Sequence, residues 1–141
     1  MHRNLLALVV FSVLLHAESS AQSNHTRAPV TGAWATRDTS ITCEQPTSER
    51  RAVSKQLHLF IYKRDGCTAN CSKDFEVDHL IPLAIGGANS KSNLWAQPWP
   101  EARIKDKLEV KLQHAVCHGV ITIKQAQDSI IGLYGALSTK H

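Results

Sequence analysis

Apolar positions recur along the chain with helical spacing in three stretches and alternate in one. Thr47-Ser48-Glu49-Arg50-Arg51 has the make-up of a helix start. Val53, Leu57, Phe60 and Ile61 follow at helical intervals, so a helix is predicted over about 48–63, closed by Asp65-Gly66. Phe75, Val77 and His79 then alternate with Glu76, Asp78 and Leu80, the period of a strand. Pro82 cannot continue that strand in a sheet interior. Gly86-Gly87-Ala88-Asn89-Ser90 carries turn chemistry, and Asn93-Leu94-Trp95 predicts a short return strand. Pro100-Glu101 suits the first turn of a helix on which Ile104, Leu108, Leu112 and Val116 step by four. Thr122 and Gln125 form a capping-box pattern before a last helix over about 123–135, with Ala126, Ile130, Leu133 and Tyr134 as its stripe. The order helix, strand, loop, strand, helix, helix predicts an α+β fold with one core.

The N-terminus does not belong to that pattern. Met1-His2-Arg3 precedes an apolar run from Leu5 to Leu15, and small residues follow up to Ala21. This is the layout of a secretory signal peptide, and the run is too short to span a bilayer. The expected organisation is a signal peptide over 1–21, a flexible polar lead-in over 22–42 with a short strand near Trp34, and one domain over 43–141. The mature protein is expected to be secreted or periplasmic, a monomer, and free of membrane contact. Asn24-His25-Thr26 is formally a glycosylation sequon, relevant only in a eukaryotic host.

The chain has 141 residues and a net charge of +4, so an anionic partner such as nucleic acid is compatible with its electrostatics. Its cysteines are Cys43, Cys67, Cys71 and Cys117. An even number in a small exported chain favours disulfides. Zinc is the rival, but zinc sites usually present two close cysteine pairs, and here there is one, Cys67 with Cys71. Spacing does not determine the pairing. Cys67–Cys71 with Cys43–Cys117 is the favoured guess, because Cys67 and Cys71 can meet across one turn.

The chemistry-bearing segment runs from Glu76 to Trp95. Asp78-His79 closes a strand, Pro82 and Gly86-Gly87 follow, and Asn93-Leu94 opens the return strand. In type and order this set resembles the motif of HNH nucleases, over about residues 74–116, and looks most like small exported bacterial HNH proteins. The resemblance implies a ββα-metal core, here with extra flanking helices and disulfide support. It also implies a metal-dependent endonuclease that hydrolyses DNA, and RNA as a further substrate. Little base specificity is expected, because the chain is too small to add a recognisable reading domain. By that resemblance His79 is the general base, Asp78 a metal ligand, and Asn93 the residue that braces the hairpin and helps hold the base. The residue types suit phosphodiester hydrolysis, since a neutral imidazole takes a proton from water and a divalent ion acts as Lewis acid. Mg²⁺ is the default for oxygen ligands, with Mn²⁺, Zn²⁺ and Ni²⁺ open. Neighbours on a regular strand point to opposite faces, so Asp78 and His79 can serve one phosphate only if the strand ends or twists there.

The resemblance breaks at the second ligand. Many family members place His or Asn nine residues after the motif asparagine, where this chain has Ala102. On a helical wheel Glu101 points close to the Ile104–Leu108 stripe, so Glu101 is the first choice, Glu109 the second and Asp106 the third. His114 lies thirteen residues beyond Glu101, about 20 Å along a helix, too far to share an ion with Asp78. His114 and His118 therefore read as surface or packing residues, and His25, His58 and His141 have no motif context. Lys105 and Arg103 are candidate phosphate contacts, with Lys107 and Lys111 adding to a basic helix. Lys63 and Arg64 suit a helix C-terminus as well as they suit DNA. Trp95 and Trp99 are expected to pack the core. Two rivals stand beside the nuclease: a non-catalytic module that binds nucleic acid or metal on the same fold, and a disulfide-stabilised secreted structural protein. A cognate inhibitor or immunity protein is left open.

Overall fold

The computed structural model describes residues 30–135. The expected signal peptide, the Asn24 sequon, His25 and His141 lie outside the described residues. The chain forms α1 (Thr39–Glu44), α2 (Thr47–Arg50), α3 (Lys55–Arg64), α4 (Cys71–Asp74), β1 (Phe75–His79), a 3₁₀ turn (Leu83–Ile85), β2 (Leu94–Pro98), α5 (Trp99–Cys117), α6 (Ile123–Ile130) and a π turn (Ile131–Gly135). It is a mixed helix-and-strand fold. Among the described residues no helix is long and apolar enough to cross a membrane.

The two strands pair antiparallel, with Val77 opposite Ala96, Asp78 opposite Trp95 and His79 opposite Leu94. Alternation gives the hairpin two faces. Val77 and Leu94 pack on Ile61 of α3, while Trp95 joins Leu112, Val116, Ala126 and Ile130 of α5 and α6 in the main core. The hairpin is thus held between α3 and the α5–α6 pair. Arg64 and Asp65 lock the α3 side. The Asp65 carboxylate accepts from the Ala96 N–H at 2.8 Å, and Arg64 donates to the Leu94 carbonyl at 2.7 Å. Arg64 is therefore a structural residue.

Several expectations shift. The helix over 48–63 is interrupted: residues 51–54 are extended between α2 and α3, and Ser54 restarts the helix by accepting from the Leu57 N–H. The lead-in is built into the fold from residue 30 onward. Val30 is buried, Trp34 bridges Gly87, and α1 carries Cys43 onto α5. These are separate point anchors, so they leave no period in the sequence. On α5 the buried line is Ala102, Lys105, Leu112 and Val116, while Ile104 is 66% exposed. Trp95 is fully buried as expected, but Trp99 is only half-buried and donates from its indole to the Ser72 carbonyl at 3.1 Å. The capping box of α6 forms as expected. The disulfides are Cys43–Cys117 and Cys67–Cys71.

Candidate active site at the end of the hairpin

The loop after β1 is organised by Asn93. Its Oδ1 accepts from the N–H groups of Ile81 (2.9 Å) and Ala33 (3.2 Å), and its Nδ2 donates to the carbonyls of Ile81 (2.9 Å) and Ala88 (3.0 Å). A fully buried amide with every position paired fixes the loop like a rivet. Gly87 makes that possible: a Cβ there would fall on the Ile81 carbonyl. Asn93 therefore braces the loop. The partners of its side chain are these backbone groups and not His79.

Strand β1 ends at His79, and this removes the geometric conflict between neighbours. Asp78 turns toward α5 and His79 toward the glycine loop, yet both line one cleft of about 290 Å³. Thr47 and Arg51 form one wall, and Asp106, Glu109 and Gln113 of α5 form the other.

His79 is 1% exposed, and its Nε2 lies 2.9 Å from Asn89 Oδ1. The Asn89 Nδ2 donates to the Arg50 carbonyl at 2.8 Å. Burial holds the His79 pKa below its ordinary value, against opposing effects of the Asn89 bond and the Asp78 charge, and the Arg51 and Lys105 charges add to the lowering. The ring is therefore neutral near pH 7, the state a base requires.

Asp78 is held from the other side. Its Oδ2 accepts from Lys105 Nζ at 2.7 Å, and the same ammonium pairs with Glu109. Lys105 is fully buried. Burial alone would lower its pKa, but Asp78 and Glu109 raise it, so it stays charged. Burial pushes the Glu109 pKa up despite Lys105. Glu76, on the same strand face as Asp78, is pushed up to about 7 by burial and by the Asp78 and Asp106 charges.

No family model, curated protein or solved structure matches this chain.

The geometry alone sorts the predicted site residues. Asp78 and His79 come together, and Glu109 joins Asp78 through Lys105. Asp106 is exposed at the cleft wall. Glu101, the first choice for a ligand, is half-buried near Tyr134 and does not line the cleft. The expectation for Lys105 is overturned, because a buried ammonium holding two carboxylates has no surface to offer a phosphate. Arg103 is exposed but outside the cleft lining. His114 and His118 stack on each other at the surface, 3.8 Å between ring centroids.

Sequence reasoning misses two cleft residues. In the sequence Asn89 stands only as part of a turn, and Arg51 only as part of a helix start. Arg51 is exposed at the cleft and forms no ion pair among the described residues. Neither residue carries a local pattern that marks it.

Among the described residues no cluster of three or more His, Cys, Asp or Glu side chains is gathered for a metal. The donors nonetheless fit a hard cation with few protein ligands. Lys105 uses Asp78 Oδ2, no hydrogen bond is made to Oδ1 among the described residues, and Asp78 faces the cleft. Mg²⁺ typically takes one or two carboxylates and completes its shell with water and phosphate oxygens.

Proposed function

We propose that this protein is a metal-dependent endonuclease of the HNH type that hydrolyses phosphodiester bonds in DNA, with RNA as a further substrate. The observation that carries this reading is the convergence of Asp78 and His79, neighbours in sequence, on one cleft with the cation of Arg51 at its wall. The ββα arrangement of β1, β2 and α5 fits the core that the motif resemblance implies.

In this reading a water attacks phosphorus, His79 takes the water's proton, and the phosphorus–oxygen bond to the leaving group breaks. Arg51 holds the phosphate from the α2 side. Asp78 Oδ1, with Glu109 and Asp106 nearby, would hold the divalent ion. When bound, that ion supplies Lewis-acid stabilisation of the phosphoryl and leaving oxygens. Secretion follows from the N-terminal pattern and suits a fold carrying two disulfides.

A second reading has one observation in its favour. Lys105 already neutralises Asp78 and Glu109, as in a module that binds nucleic acid without cutting it. Plasmid nicking by the oxidised protein in Mg²⁺, Mn²⁺ or EDTA separates the two. The nuclease nicks only with metal, and His79→Ala slows it by about 10²- to 10⁴-fold. Binding without cleavage in any metal establishes the module instead.

A further inference from the structure

We propose that Asn89 is a positioning residue that fixes the neutral tautomer of His79, with the proton on Nε2 and the basic lone pair on Nδ1. The assignment deepens the reading of His79 as general base and rests on it for its catalytic meaning.

The orientation of the amide comes first. Asn89 Nδ2 sits 2.8 Å from the Arg50 carbonyl, a group that only accepts. The nitrogen must therefore face Arg50, and the oxygen must face His79. Flipping the amide would set its oxygen against the Arg50 carbonyl, two acceptors in contact. With the amide so oriented, Oδ1 lies 2.9 Å from His79 Nε2, and an amide oxygen only accepts. The ring must donate there. A neutral imidazole carries one N–H, so Nδ1 is left as the basic nitrogen.

The anchor is itself fixed. The Arg50 guanidinium donates to the Leu83 and Gln45 carbonyls, which ties the end of α2 to the 3₁₀ turn. The group that orients the Asn89 amide is thus supplied from outside the hairpin, by a segment that the Cys43–Cys117 bond ties to α5. A solvated histidine exchanges tautomers freely. One whose Nε2 faces a single fixed acceptor does not.

The test is long-range ¹H–¹⁵N correlation of ¹⁵N-histidine-labelled oxidised protein at pH 8, where the ring is neutral. The wild type should show His79 almost wholly as Nε2–H. Asn89→Ala removes the acceptor and should give a tautomer mixture, with kcat lower by about 10- to 100-fold and KM little changed. A wild-type spectrum in the Nδ1–H form overturns the proposal, as does an Asn89→Ala spectrum identical to wild type. The wild-type spectrum decides even if Asn89→Ala does not fold. It reads the ring and not cleavage, so absence of nuclease activity would count against the function while leaving the tautomer assignment to its own result.

Discussion

Replacing Lys105 by methionine should cost this protein a large share of its stability, and the cost should depend on pH. The side chain is fully buried, and its ammonium is shared by Asp78 and Glu109. Removing one partner of a buried ion pair leaves uncompensated charge and typically costs about 3–5 kcal/mol, against a total stability of about 5–15 kcal/mol for a domain. Here two carboxylates lose their counter-ion, and Glu76 adds a like charge beside them. The deficit should therefore lie at the upper end of that range at pH 8. At pH 5 it should shrink, because Glu109, whose pKa burial already raises against the opposing Lys105 charge, can take up a proton. Its folded pKa lies above the unfolded one, so that part of the variant's stability is present at low pH and lost as pH climbs through the raised value. Urea unfolding of the oxidised protein at pH 5 and pH 8 measures both numbers. The variant Lys105→Met/Glu109→Gln, which removes charge of both signs, should recover part of the loss at pH 8. A deficit below about 1 kcal/mol at pH 8, or one equal at both pH values, refutes the clamp, because breaking a buried ion pair has a larger effect than that.

Glu76 gives a second pH effect. Its folded pKa of about 7 lies above its ordinary value of 4.5, so its contribution is full below 4.5 and lost as pH rises through 7. Thermal melts of Glu76→Gln should show a flatter pH dependence and a higher Tm than wild type at pH 8. Gly87→Ala should be far more damaging than Gly119→Ala. The first drives a Cβ into the Ile81 carbonyl, whereas the second meets open space and suffers only the left-handed backbone cost of about 1–2 kcal/mol. Urea midpoints of the two variants decide this. The disulfides should differ too. In the chain-entropy model, opening the Cys43–Cys117 link, across a separation of 74 residues, costs about 4.4 kcal/mol, and Cys67–Cys71, across 4, about 2 kcal/mol. Unfolding of the two double-serine variants checks that order.

Much of the fold is legible in the sequence because its signals are local. The alternation of β1, the turn chemistry of the glycine loop and the Thr122–Gln125 box each act within a few residues, and the structure contains all three. Asn93 is legible through motif resemblance, although its side chain acts on backbone groups of a loop and of residue 33. The cleft wall from α2 is not legible. Arg51 reaches it because Asp65, Arg50 and Cys43 pin their segments to distant parts of the chain, and no spacing in sequence encodes those long-range ties.

The misplacement of the helix carboxylate has a geometric origin. Residues four apart on an α-helix advance about 400°, so a stripe read in steps of four drifts by about 40° per step. Between Ile104 and Val116 the drift reaches about 120°, enough to carry one end of the stripe off the buried face. Val116 is buried and Ile104 is exposed, as that drift requires. A wheel anchored on Ile104 therefore turns Glu101 toward the core and leaves Glu109 beside it. Lys105 compounds the effect. A lysine on an amphipathic helix normally faces solvent, and its burial here depends on Asp78, 27 residues away. The charge that identifies the true buried face lies on the other element. Asp78, Lys105 and Glu109 therefore become recognisable as one unit only once β1 and α5 are brought together.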